Sequence, residues 1–264
     1  MKIEVENLEN ALVSAIRRQV EGEDIAVAFS GGLDSGLVAA IAKDYAKSVT
    51  LYTSGKDKSY DVVKAQEMPE ELGLPWLHIP ITEDNIEDRL REMISITGTS
   101  SPLTLSFELP LFFVCRTVRE KYILGGQGSD ELFAGYSKYI GLTDEELERA
   151  MKADLGKLIS STIPHETKIA DKFGKKILYP YLDPLVTMQV NAMDLNDLKP
   201  KDQDSRKMVL RQIALDLGYP FIAEKKKKAA QYGSGTMDLV RQVAKEKGMT
   251  YSELVDSIYK DIFE

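Results

Sequence analysis

The chain has 264 residues, 43% of them hydrophobic and 29% charged, with a net charge of −8. That is a globular balance with length for a large apolar core, and it excludes collagen-like, disordered and disulfide-framework classes. The acidic sign argues against a dedicated nucleic-acid coat, the single cysteine, Cys115, supports neither a disulfide nor a metal cluster, and no apolar run approaches the about 18 residues of a membrane span.

The opening stretch is acidic and polar, so no secretory signal is read there and a cytoplasmic setting without membrane association is expected. Val5, Leu8, Leu12, Ile16 and Val20 have helical spacing. Residues 25–29 form a short apolar run suited to a buried parallel strand. It leads through Ser30-Gly31-Gly32-Leu33-Asp34-Ser35 into a helical segment at 36–45. Strands follow at 48–53 and 76–81, around a helix at 60–72 that Gly73 and Pro75 close. A helix opens at Thr82-Glu83-Asp84 and runs to about 96. Residues 103–120 read as a long buried helix that Pro110 kinks or splits. Residues 122–124 form a short strand ending in glycines.

Beyond about residue 139 the strand signal fades. Thr143 with Glu146 forms a capping box, and helices are predicted over 144–162, 166–173, 184–194, 204–217, 236–247 and 251–262. The predicted class is α/β, a parallel sheet with helices on both faces and a helical C-terminal half. Residues 1–264 are read as one unit, with an α/β core over about 1–140 and a helical part over about 141–264.

Two loops carry the chemistry. In residues 30–35 the glycines let backbone amides approach an anion, and the following helix N-terminus adds donors and a favourable dipole. An aspartate among such groups suits a metal ion bridging phosphate oxygens. No lysine follows the glycines, so this is not the G-x-x-x-x-G-K-S/T loop. The second loop, Gly125-Gly126-Gln127-Gly128-Ser129-Asp130-Glu131, again follows a strand and again joins backbone donors to carboxylates. In a doubly wound sheet two such loops meet across one crevice.

The first loop resembles the pyrophosphate-binding loop of the N-type ATP pyrophosphatases, whose fold is that of the adenine nucleotide alpha hydrolases. The second, within GGQGSDELFAGY, is similar to the SGEGSDELFGGY segment of glutamine-dependent asparagine synthetases and β-lactam synthetases. Tyr179-Pro180-Tyr181-Leu182-Asp183 resembles that family's V-P-F-L-D segment, Arg206-Lys207 through Leu210-Arg211 its R-K-x-x-L-R helix, and residues 225–232 its lysine-containing loop. The resemblance implies an ATP-dependent, AMP-forming carbon–nitrogen ligase. It activates a small carboxylate, with aspartate expected, and passes the acyl group to ammonia or an amine. Carried over by position, Ser30, Gly31, Gly32, Asp34 and Ser35 bind pyrophosphate, with Gly126 and Gly128 in the facing loop. Asp34 and Asp130 share Mg²⁺, Thr53 lies in a strand flanking the adenine, and Lys227 or Lys228 contacts the α-phosphate.

The chain also departs from the family. It begins Met1-Lys2-Ile3 rather than with a nucleophilic cysteine, and Cys115 reads as core packing, so a separate ammonia-supplying glutaminase or free ammonia is expected. Gln127 stands where the family has a glutamate near the acyl centre, and glutamine orients by hydrogen bonds without acting as a carboxylate base. Gly125 replaces a serine. Among other residues, His78 and Trp76 read as structural, His165 as a cap or surface residue, and Asp183 as an N-cap. Gly233-Ser234-Gly235 reads as a second anion-binding turn. A homo-oligomer is left open. Nucleic acid is not an expected partner, and the alternatives are an RNA-modifying enzyme of the same superfamily or a nucleotide-binding protein that has lost turnover.

Overall fold

A computed structural model describes residues 2–225 and 233–264. In chain order its elements are α1 (Lys2–Val20), β1 (Asp24–Ala28), α2 (Leu33–Ala42), β2 (Ser48–Gly55), α3 (Tyr60–Ala65), α4 (Pro69–Leu72), β3 (Trp76–Pro80), α5 (Glu83–Thr97), α6 (Pro102–Thr117), β4 (Tyr122–Leu124) and α7 (Ser129–Leu132). There follow α8 (Asp144–Lys157), α9 (Ile163–Lys172), β5 (Lys176–Leu178), α10 (Pro184–Ala192), α11 (Leu195–Leu198), α12 (Met208–Asp216), α13 (Pro220–Ala223), α14 (Thr236–Glu246) and α15 (Tyr251–Phe263).

The five strands form one sheet in the order β3-β2-β1-β4-β5, and every neighbouring pair is parallel. Because side chains alternate along a strand, each strand feeds two cores. Ile25, Val27, Leu51 and Leu124 pack with α1, α2, α10 and α12 on one face. Ala26, Tyr52, Ile123 and Ile177 pack with α5, α6, α9, α14 and α15 on the other. The chain leaves β1 towards β2 and β3, then returns to β4 on the opposite side of β1. That reversal opens a crevice beyond the carboxyl ends of β1 and β4, the place where open α/β sheets bind ligands. Both glycine-rich loops start there.

The expected helix at 60–72 is two short helices, with Pro69 opening the second and Gly73, at φ +66°, closing it. Pro110 neither splits nor ends α6, which runs unbroken past it. The helices expected at 144–162 and 166–173 are one rod joined by a π turn at Leu158–Thr162, with Pro164 in the first turn of α9. The strand β5 was not expected. Its three residues are too few to show a period, yet they pair with all of β4, so the sheet draws on the half read as helical. The capping box at Thr143 and Glu146 forms as expected, as does the Asp183 cap on Leu185 N. Among the described residues no helix is long and apolar enough to cross a membrane.

Gly31 fixes how closely the first loop approaches α3. Its φ is +69°, and a Cβ there would lie 2.6 Å from the backbone nitrogen of Ala65. Gly31→Ala is therefore expected to cost about 1–3 kcal/mol, combining left-handed strain with a backbone clash. Gly22→Ala, at φ +77° with nothing within 4 Å, meets only the conformational cost. Urea unfolding of both variants checks this, and equal losses would contradict the close approach.

Candidate active site

The first loop runs from the end of β1 into α2, whose opening amides lack intrahelical acceptors. It is braced internally. Ser30 N donates to Ser35 Oγ at 3.2 Å, and the two hydroxyls lie 3.3 Å apart. Asp34 stands in the first turn of α2, and its carbonyl accepts from the buried Tyr181 hydroxyl at 3.1 Å. The second loop lies against it, because a Cβ on Gly126 would be only 3.3 Å from Asp34 Cβ. Gly128, at φ +91°, turns the chain into α7, which carries Asp130.

One lysine ties the loops together. Lys207 Nζ lies 2.6 Å from Asp34 Oδ2 and 2.7 Å from Asp130 Oδ1, and donates to Ser129 Oγ at 3.0 Å. The residue is buried, with 4% of its side chain exposed. Burial lowers its pKa and the Asp34 charge opposes that shift. Its backbone is left-handed, φ +56°, immediately before α12. A non-glycine residue there is strained, which requires the surroundings to hold it. Arg206 Nη1 donates to Gly135 O at 3.0 Å, adding a second link between this segment and the second loop.

Two hollows adjoin at Ser30, Asp34, Asp61, Gly135 and Arg206. The smaller, of 460 Å³, is lined by the first loop with Lys207, Arg211 and Lys225. The larger, of 870 Å³, takes in Ser30, Asp34, Ser35, Thr53, Gly126, Gln127, Gly128 and Asp130. Every expected site residue within the described part of the chain thus borders one cleft. Lys227 and Lys228 lie outside the described residues. Thr53 faces the cleft, but its hydroxyl is committed, donating to Phe29 O at 2.6 Å and accepting from Trp76 Nε1 at 2.9 Å. Ser234 is buried with its hydroxyl 2.7 Å from that of Thr236, so the turn around it is braced from within. His78 is structural, stacked on Trp76 and 3.0 Å from Gly55 O.

Two buried carboxyls in the larger hollow were not foreseen. Glu108, on α6, is 2% exposed, and Glu166, on α9, is 3% exposed. Gln127 Nε2 donates to Glu166 Oε1 at 2.8 Å and the Tyr179 hydroxyl to Glu166 Oε2 at 2.8 Å. His165, expected as a cap or surface residue, places Nδ1 3.2 Å from Glu108 Oε1. Among the described residues Glu108 Oε2 has no hydrogen-bond partner. Burial, then the Glu166 charge, pushes Glu108 up to about 8. Burial pushes Glu166 up to about 7 against the hydrogen bonds from Tyr179 and Gln127. Burial, then the Lys168 charge, lowers the His165 pKa. A glutamate at position 127 would face Glu166 across a hydrogen-bond distance, and two such carboxylates cannot both ionise readily. Gln127 removes that conflict.

Two glycine-rich loops at the switch point of a parallel sheet, joined through two carboxylates and a buried lysine, have the layout at which open α/β sheets bind ligands. Residues 7–143 match the asparagine synthase family, and the chain belongs to it. It is 26% identical to a Methanocaldococcus jannaschii protein provisionally named a glutamine-hydrolysing asparagine synthetase, over 97% of this chain and 55% of that protein. It is 28% identical to the Escherichia coli glutamine-hydrolysing asparagine synthetase B, over 64% of this chain and 34% of that protein. The chain thus spans about half the length of these relatives, or less. A solved NMN synthetase from Francisella tularensis has a TM-score of 0.44 at 17% identity, covering 97% of this chain and 85% of that one.

The raised carboxyls give a pH signature. Glu108 and Glu166 bind protons in the folded chain at pH values where the unfolded chain, with carboxyls near 4.5, has lost them. Their contribution to stability is complete below about pH 4.5 and is lost as pH rises through about 7 and 8. Glu108→Gln is expected to flatten part of that decline, read as unfolding midpoints between pH 5 and 9. An unchanged slope would contradict the assignment.

Proposed function

We propose that this chain is an ATP-dependent, AMP-forming carbon–nitrogen ligase that activates a small carboxylate, with aspartate the first candidate, and delivers its acyl group to ammonia or an amine. The observation that carries this is the Asp34–Lys207–Asp130 clamp between two glycine-rich loops in one cleft. The substrate carboxylate attacks the α-phosphorus of ATP, the bond to pyrophosphate breaks, and an acyl-adenylate forms. Nitrogen then attacks the acyl carbon and AMP departs. Pyrophosphate gathers charge as it leaves, so fixed donors in the first loop and the cations of Lys207, Arg206 and Arg211 favour that step.

Asp34 and Asp130 offer the carboxylate oxygens that a divalent cation takes, with Lys207 between them. Asp34 and Asp130 would hold Mg²⁺, which when bound neutralises phosphate charge. Supply of nitrogen by cysteine chemistry does not suit Cys115, since burial pushes its thiol up to about 12. Ammonia, free or supplied by a glutaminase, is the nitrogen source in this proposal.

Pyrophosphate release across a panel of small acids, with ammonium and then other amines, tests the reading. Release that requires one acid is the expected result. Asp34→Asn and Asp130→Asn are each expected to lower it by at least about 100-fold, as loss of a preorganised charge contact does. Near wild-type release in either variant, or release that no acid stimulates, would overturn the assignment.

A further inference from the structure

We propose that Glu108 is the general base of the nitrogen-transfer step, and that the hollow it shares with Glu166 receives the nitrogen donor as a cation, either ammonium or a primary alkylammonium. This deepens the ligase reading and rests on it.

A carboxylate oxygen sealed inside a protein without a partner is costly, and such an atom in a folded chain requires an explanation. Glu108 Oε2 is that atom. It belongs to a residue in an otherwise apolar stretch of α6, and its side chain lines the 870 Å³ hollow that also holds Asp34, Asp130 and Gln127. Its second oxygen is steadied by His165, and His165 is followed in α9 by Glu166. Glu166 has no spare capacity of this kind, since its two oxygens accept from Gln127 and Tyr179. The two acids are therefore differentiated: both Glu166 oxygens accept hydrogen bonds, whereas Glu108 keeps one oxygen without a partner among the described residues. A packing role for Glu108 would be served better by leucine or methionine. A cation supplies the missing partner, and an acidic wall beside a carboxylate-activating site favours an amine over a second acid.

The connection to the phosphate end of the cleft is short. Gly126 packs on Asp34, and the next residue, Gln127, bonds Glu166. The step balances as follows. Glu108 carboxylate takes one proton from the bound ammonium, and the freed lone pair forms the C–N bond to the acyl-adenylate carbonyl. The carbonyl–oxygen bond to AMP breaks with its electron pair on the phosphate, and the second nitrogen proton passes to solvent. The groups facing Glu108 are His165, Glu166 and Tyr179, with Lys168 near His165. Burial lowers the His165 pKa and raises that of Tyr179, so His165 favours its neutral form and Tyr179 its protonated form.

The test separates the half-reactions. Exchange of labelled pyrophosphate into ATP, with the acid that supports it and no amine, reads adenylation. Amide formation with ammonium chloride, then methylammonium and longer alkylammonium chlorides, reads nitrogen transfer. Glu108→Gln is expected to leave exchange within about threefold of wild type and to lower transfer by about 10²–10⁴-fold. It should also raise KM for the amine and abolish a rise of transfer rate with pH through about 8 that the wild type shows. Glu108→Asp should restore part of that pH dependence. Transfer confined to ammonium identifies the donor as ammonia, and faster transfer with an alkylammonium identifies an organic amine; both support the site. Equal transfer in wild type and Glu108→Gln, with exchange intact in both, would overturn the role of Glu108 alone. Absence of exchange in the wild type with every acid would overturn the ligase reading and this inference together.

Discussion

The site depends on one buried cation. Lys207 cannot keep its charge out of water unless carboxylates meet it, and Asp34 and Asp130 can do so only if the two loops lie side by side. The sheet order brings β1 and β4 together, the glycines let the loops touch, and the strained backbone at Lys207 aims the ammonium between them. Charge pairing, topology and backbone conformation thus converge on one point in the fold.

Away from this clamp the cleft changes character. The wall formed by α6 and α9 is acidic and buried, and its carboxyls are held nearer neutrality than ordinary ones. Substituting glutamine at 127 keeps a hydrogen bond to Glu166 and avoids a third carboxylate in that space. In the proposed reaction the glycine-rich loops take the phosphates and the α6–α9 wall takes the amine.

Much of this was legible in the sequence, and the gaps have physical causes. Both loops announce themselves because glycine, serine and aspartate between a strand and a helix serve few purposes besides anion and metal binding. Lys207 was visible as part of the segment resembling the family's R-K-x-x-L-R helix; what the sequence conceals is that it stands in a left-handed position just before α12 and reaches between the loops. Glu108 sits in a run of Leu, Phe and Pro, and its single charge there was the available signal. Glu166, next to His165 in the first turn of α9, looks like an ordinary first-turn acid, and only tertiary packing buries it. The strand β5 falls below the length at which periodicity speaks. In each case the missing information was long-range contact rather than local preference.

The most direct measurement of the central claim is a double-mutant cycle on unfolding free energy with Asp34→Asn, Lys207→Met and the pair. If the buried ammonium joins the loops as described, Lys207→Met strands the carboxylates and Asp34→Asn removes part of the charge that balances the ammonium, so the double variant loses less than the sum of the two. The expected coupling is at least about 1 kcal/mol, in the range of directly interacting buried groups. Additivity within about 0.3–0.5 kcal/mol, the behaviour of independent sites, would contradict it.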